Sequence, residues 1–460
     1  MLSIPFLIAL FIIFSMAIFT RIYFLLKYKW VGTDTFYNLL IAQEIRKKKK
    51  LPDVIDRFVV PERYDYPPLL HWFLSLFKDK YHQKLQYVSP VLDVISGTMI
   101  FCFCYYIFDS QIAIIATGLY FFTPYTFDNS FSLSARSPGN SFLIISLLSL
   151  FLYLFNGFLG AFIISIIFST LVLLTHRLTT QSLIVVLLSL SIGYYSLIPT
   201  VVIGCSFVLA IVFSKGFYYR VLQGHIQIIK TMGRKIMQKN FRKEVTNIYL
   251  NPVFLVFNMP IFLMLPILFL FFNRSSLNFF VIWGLSLTLL SIIWIFGQGI
   301  RHLINAVPAF SIISSIWVVE SGNYFILLLL LVVSSIFFIF KINRLKIRSD
   351  LGNITSGFAL HGFDYIRSHK KNKDILLCLP LDFTYNAAYF TGCTMLQSSG
   401  GFAEGIDINQ KFHQLISEGK INELIQEYKA RWVIIIGENK CSITGNNVFN
   451  DVNTKVIKIN

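Results

Sequence analysis

Residues 32–77 read GTDTFYNLLIAQEIRKKKKLPDVIDRFVVPERYDYPPLLHWFLSLF and follow directly on the first long apolar stretch of the chain. They open with an acidic residue, Asp34, at the mouth of that stretch. A short amphipathic run, a basic cluster ending at Lys50, and Tyr66-Pro67-Pro68 leading into the aromatic segment Leu69 to Phe77 then follow. An ionisable side chain held against a bilayer is costly and tends to be functional. A long loop with internal order usually carries function. The stretch is therefore read as part of a membrane scaffold that holds Asp34 over a site.

Outward from this loop the composition sets the class. Apolar residues make up 55% of the 460 positions and charged residues 14%, where soluble domains carry about 25% charged. Successive windows of about 18 or more nearly uncharged residues are each long enough to cross the hydrocarbon of a bilayer. Hydropathy predicts spans near 2–26, 86–107, 111–127, 138–155, 158–175, 180–195, 198–214, 252–272, 277–297, 303–319 and 323–340. The expected fold is thus an all-α polytopic membrane protein of about eleven transmembrane helices; a barrel would show short alternating segments. The first span lacks the basic start and small-residue cleavage pattern of a signal peptide and is expected to stay in the mature protein. Residues 180–214 form one apolar run interrupted by Gly193, Tyr194, Tyr195 and Pro199, which two short helices fit better than one long one.

With these spans, the informative loops share one face: 27–85, Asp128 to Asn140, His176 to Thr179, the basic amphipathic segment 215–250, Gly297 to His302 and the C-terminal part. An enzyme working at a membrane surface needs such convergence. The positive-inside rule assigns this basic face, with Arg21, Lys27 and Lys29 flanking the first span, to the cytoplasm.

The boundary of the membrane part is set at 340. Beyond the basic Lys341 to Arg348, residues 351–460 have the hydropathy of a soluble domain. Asp374 to Leu379 and Trp432 to Ile436 read as buried strands, and Phe412 to Lys429 has helical periodicity broken at Gly419. Residues 341–460 are accordingly expected to form a small α/β domain. No Gly-rich phosphate loop occurs in it. The six cysteines lack metal-ligand spacing; Cys378 and Cys393 are the pair that an oxidising space would allow to bond. The net charge of +17 suits anionic membrane lipids or a lipid-phosphate ligand, and no nucleic-acid module is present.

Asp34 heads the candidate residues. It is either the N-cap of a helix from Thr35 to Lys47 or a catalytic carboxylate, and the two roles are compatible. Lys47 to Lys50 read as a solvated cluster and Asp65 as a turn residue. Arg136, in SARSPGN, and Arg301, in FGQGIRHLINAVP, lie at span boundaries. There an arginine either snorkels to headgroups or holds a phosphate bidentately. His302, and His176 with Arg177, are further candidates of the same kind; Tyr37 and Tyr66 join Asp65 as site-lining candidates. HExxH, GxSxG, CxxC and P-loop spacings do not occur, which leaves metalloprotease, serine hydrolase, thiol-redox and ATPase readings without motif support.

Taken together, Gly32-Thr33-Asp34-Thr35-Phe36-Tyr37, Tyr66-Pro67-Pro68-Leu69, Ala135-Arg136-Ser137-Pro138-Gly139 and Gly299-Ile300-Arg301-His302 with Pro308 resemble, in order and spacing between spans, the GT-C superfamily of polytopic glycosyltransferases. That group includes dolichyl-phosphate-mannose mannosyltransferases, lipid A aminoarabinose transferases and oligosaccharyltransferases. The resemblance implies sugar transfer from a polyprenyl- or dolichyl-phosphate carrier to a protein, lipid or glycan acceptor on the extracytoplasmic face, the reverse of what the charge count indicates. It implies Asp34 as general base or as contact of a divalent metal, and Arg301, Arg136 and His302 as contacts of the donor phosphate. Thr35 stands where many members carry a second acid, which puts metal binding in doubt, and the Trp-Trp-Asp motif of oligosaccharyltransferases is absent. Displacing a lipid phosphate from an anomeric carbon needs a base on one side and cations on the other, and a single displacement inverts the anomer. The alternatives are a transporter or flippase of lipid-linked sugars, which should show repeated halves or broken helices in matching positions, and a membrane-anchored sensor.

Overall fold

Apolar sequence in lipid must satisfy its backbone polar groups internally, and a helix does so within one segment. In the computed structural model, which describes residues 4–27, 30, 32–59, 62–236, 259–264, 276–292, 300–351, 358–396, 412, 414–437, 443–451 and 454–459, helices dominate. They include Ile4–Lys27, Val88–Ile107, Ser110–Phe121, Arg136–Asn156, Leu159–Thr175, Arg177–Gly193, Ile198–Phe213, Asn278–Ile292, Val307–Ser321 and Tyr324–Leu351. Each expected span except 252–272 contains one of these. Of that span only residues 259–264 are described, with a 3-10 turn at Pro260–Met264.

Local chemistry explains most of the boundaries. Asp109 caps the helix Ser110–Phe121, its carboxylate accepting from the Ile112 N–H at 2.8 Å. The expected span 111–127 stops at Phe121 instead, because Pro124 cannot continue a helix and starts the next one, Pro124–Ser130. The run 180–214 divides as the sequence indicates, ending at Gly193 and restarting at Ile198 with Pro199 in the first turn. After Phe213 the chain turns through Lys215 and Gly216, the glycine at φ 83°, so that Phe217–Lys230 departs at 119°. A side chain at Gly216 would be strained in that conformation.

Among the described residues, four helical stretches are long and apolar enough to cross a membrane: Ile4–Lys27, Asp79–Ile107, Arg136–Asn156 and Arg301–Ser321. The bent pair Ile198–Phe213 and Phe217–Lys230 adds a fifth if it counts as one span, and the other apolar helices run to 10–17 residues. With its apolar helices, the chain is a multi-pass integral membrane protein.

The chain divides into two compact units. The first comprises residues 1–24, 66–69 and 87–343. Its core is aromatic, with Phe151 packed at 5.2 Å from both Phe103 and Phe280, beside a fully buried Trp283. Its outer face is apolar too: Phe11 is 72% and Val208 61% exposed, as befits surfaces that meet lipid rather than water.

The second unit comprises residues 25–65, 70–86 and 344–460, so the first loop packs with the C-terminal segment. Strands β1 (Val54–Ile55) and β2 (Glu62–Arg63) form an antiparallel ribbon within the loop. Strands β3 (Ile375–Leu379), β4 (Thr394–Met395), β5 (Trp432–Ile436), β6 (Asn446–Asp451) and β7 (Thr454–Lys458) form a mixed sheet of order β4-β3-β5-β7-β6. β3 is parallel to β4 and β5, while β7 runs antiparallel to β5 and β6. Both expected strands are present, and their unbroken apolar sequence suits central strands covered on both faces. The edge at β4 is closed by the loop: Met395 N–H donates to the Arg57 carbonyl and Val59 N–H to the Met395 carbonyl, both at 2.9 Å. The helical run after Phe412 breaks at Gly419 and resumes as Ile421–Glu427. Cys378 and Cys393 are buried and unbonded. The register sets Ile375 opposite Thr394, which leaves Cys378 farther along β3 than β4 reaches.

Candidate active site

Three helix ends of the first unit meet around one cavity. Arg136 is the first residue of Arg136–Asn156, His176 precedes and caps Arg177–Gly193, and Arg301 lies in the short turn Ile300–Leu303. All three line the cavity, together with Asp93, Asn140 and Asn305. Arg136 and Arg301 are both half-buried. The helix at Arg136 also turns its N-terminus, with Ser137, to this space, so its backbone dipole adds to the positive potential. His176 is held by Thr179, whose hydroxyl lies 2.9 Å from Nδ1 and whose N–H donates to it at 3.3 Å.

A second group of charges here was not singled out from sequence. Arg21, read as a flank of the first span, is fully buried and donates through Nε to Asp93. Its other nitrogens donate to the carbonyls of Phe121, at 3.0 Å, and Ala17, at 3.3 Å. The Tyr120 hydroxyl donates to the second Asp93 oxygen at 2.8 Å, and Asn140 Nδ2 donates to Tyr120 at 3.4 Å. The signal was present in the sequence. Arg21 and Asp93 are opposite charges inside two expected spans, and such residues tend to pair.

His302 is fully buried next to Arg301. Asn305 Nδ2 donates to Ser182 Oγ at 2.8 Å, and the same hydroxyl is hydrogen-bonded to His302 Nδ1 at 3.0 Å. The other ring nitrogen, Nε2, is buried and has no hydrogen-bond partner among the described residues. Arg177, 7% exposed, stacks its guanidinium 5.2 Å from the centre of the Tyr66 ring. That pair is brought together as a cation–π contact.

Asp34 belongs to the second unit. It lies in the first turn of the helix Thr33–Lys48 and is half-buried. The N-cap is Gly32, at φ 82° and ψ 136°, and it makes no side-chain cap. The expectation that Asp34 caps the helix is therefore corrected: the helix begins before it, because glycine alone is at ease in the backbone conformation of residue 32.

The backbone beneath Asp34 is tied down by a directional chain of hydrogen bonds. Tyr64 O–H donates to His71 Nδ1 at 2.6 Å, His71 Nε2–H donates to Asn38 Oδ1 at 2.8 Å, and Asn38 Nδ2–H donates to the Asp34 carbonyl at 2.9 Å. Only a neutral imidazole fits this sequence of donors. Burial holds His71 down at about 3, so it stays neutral in the working range. Tyr37 packs its ring 5.2 Å from Tyr385 and 6.1 Å from His71, and Asp65 is buried. Among the described residues no three His, Cys, Asp or Glu side chains converge as metal ligands.

No protein-family model and no curated protein sequence matches the chain. Solved structures do. ArnT from Cupriavidus metallidurans bound to undecaprenyl phosphate superposes with a TM-score of 0.65 at 10% identity, over 99% of this chain and 98% of that one. The archaeal oligosaccharyltransferase AglB from Archaeoglobus fulgidus, in complex with an inhibitory peptide and a dolichol-phosphate, superposes with a TM-score of 0.59 at 11% identity, over 94% of this chain and 69% of that one. At such identities the likeness is one of fold.

Proposed function

We propose that this chain, whose fold is that of the GT-C membrane glycosyltransferases, transfers a sugar from a polyprenyl-phosphate carrier to a protein, lipid or glycan acceptor on the extracytoplasmic side. The observation that carries the reading is the cavity shared by Arg136, Arg301 and His176 at a helix N-terminus. Cations and backbone dipole gathered at one place suit a phosphate diester and the second negative charge it develops on leaving. The undecaprenyl phosphate of ArnT and the dolichol-phosphate of AglB support the same ligand class.

In this reading Asp34 takes the proton of the acceptor as the acceptor attacks the anomeric carbon. The glycosidic bond forms as the carbon–oxygen bond to the phosphate breaks, and the anomer inverts. Arg136 and Arg301 hold the departing lipid phosphate, with His302 as a further contact. The chain through Tyr64, His71 and Asn38 keeps the first turn of the Asp34 helix fixed. In detergent, the full chain should bind undecaprenyl phosphate saturably and release sugar from its glycosyl esters. Saturable transport across liposomes with no bond cleavage would instead identify a carrier of lipid-linked sugars.

A further inference from the structure

We propose that Asn140 reads the sugar, its side-chain carbonyl accepting a hydrogen bond from a hydroxyl or amino group carried on the lipid phosphate. The inference rests on the donor reading of the cavity and adds the atom that would tell a glycosylated carrier from a bare one.

The argument is one of proton bookkeeping. Asp93 can only accept, and its two oxygens take hydrogen bonds from Arg21 Nε and from the Tyr120 hydroxyl. Tyr120 has one proton and gives it to Asp93, so towards Asn140 its oxygen can only accept. The Asn140 amide must then turn its nitrogen to Tyr120. Its carbonyl is left buried with no hydrogen-bond partner among the described residues, in a residue that is 7% exposed and lines the cavity. Arg21 fixes this arrangement at its far end, since each of its three nitrogens donates a hydrogen bond, to Asp93, Ala17 and Phe121.

The cavity therefore asks for two things in one ligand. Arg136 and Arg301 call for an anion, and the orphan carbonyl calls for a hydrogen-bond donor. Asp93 does not upset this demand, because Arg21 neutralises it. A bare phosphate monoester offers chiefly acceptors at neutral pH and leaves Asn140 unanswered. A sugar esterified to a lipid phosphate carries the anion and several donors together. A site that supplies a fixed acceptor discriminates against ligands without the matching donor.

The test is displacement of radiolabelled undecaprenyl phosphate from the full chain in detergent, by unlabelled undecaprenyl phosphate and by its mannosyl and aminoarabinosyl esters. In the wild type at least one ester should displace the label better than the bare carrier does. In Asn140→Leu, of similar shape, that advantage should shrink about tenfold while the bare carrier binds within about twofold of wild type, as loss of one neutral hydrogen bond predicts. Tyr120→Phe keeps the carbonyl but frees the amide to rotate, and should cut the advantage several-fold; it decides the matter if Asn140→Leu does not fold. An advantage that survives in both variants overturns the proposal, as does a wild type that binds both esters no better than the bare carrier, the carbonyl then meeting only water. A wild type that fails to bind the bare carrier overturns the donor reading itself.

Discussion

The polar groups gathered around the candidate residues differ between the two units. In the membrane unit the cavity is surrounded by ionic groups: Arg21 and Asp93 neutralise each other, and Arg136 and Arg301 stand at helix ends. In the unit built from the first loop and the C-terminal segment, the polar core beneath Asp34 is neutral, a relay of a phenol, an imidazole and an amide. The difference teaches where charge is wanted. A cavity for an anion is served by cations on its wall, and the carboxylate that also lines it is matched by an arginine of its own. A carboxylate that is to take a proton is best held by groups that neither charge nor discharge around it.

The sharpest way to break this comparison is Asp34→Asn. Loss of a general base should lower turnover by about 100- to 10,000-fold. Because Gly32 rather than Asp34 is the N-cap and the amide is nearly the same size as the carboxylate, the fold should persist, the carboxylate–dipole interaction contributing about 0.3–1 kcal/mol to the loss. Sugar release and thermal unfolding measured on one preparation separate the two effects; turnover within a few-fold of wild type would remove Asp34 from the chemistry.

Arg21→Met probes the ionic side. It strands Asp93 in the helical core and should cost about 3–5 kcal/mol of stability. The double change Arg21→Met with Asp93→Leu should recover most of that loss in the same unfolding assay, and a double variant no better than the single one would mean that packing, not charge, is what Arg21 supplies. Arg301→Gln is expected to be milder on the fold, since Arg301 is half-buried in a short turn at the cavity. It should weaken binding of undecaprenyl phosphate by about 100-fold, the scale of a lost charge-assisted contact, and unchanged affinity would place the phosphate elsewhere.

The smallest effect sharpens the neutral side. The folded pKa of His71 is held at about 3, below the value of about 6.5 in an unfolded chain. The unfolded state therefore binds the extra proton first, and the stabilisation is complete above about pH 6.5 and lost as the pH falls towards 3. Between pH 7 and pH 5 the loss should be about 2 kcal/mol. His71→Gln, which keeps a donor and an acceptor in the relay, should flatten that slope of stability against pH, and an unaltered slope would show that another group controls it.

Much of the fold was readable residue by residue. The break between Gly193 and Pro199, the strand Trp432–Ile436 and the stop at Gly419 follow from local rules, and the structure has them where the sequence indicates. Arg136, His176 and Arg301 were also legible, as charged residues at the ends of apolar runs, and they come to one cavity. Asp93 carried a signal of its own as an acid inside a span, but its partner lies 72 positions away. Asn140 carried none, because an asparagine near a helix start looks like any other.

By itself, then, the sequence determined that this is a helical membrane protein with a structured acidic first loop and an α/β segment after it. Those are consequences of apolar run length, proline, glycine and charge, which act within a few residues. Only the tertiary structure decided that residues 57–59 close the β4 edge, that Arg21 belongs to Asp93, and that Asn140 is left with a free carbonyl. Each depends on which segments meet across long separations. There the direction of one shared proton, and not any local pattern, settles which atoms remain for a ligand.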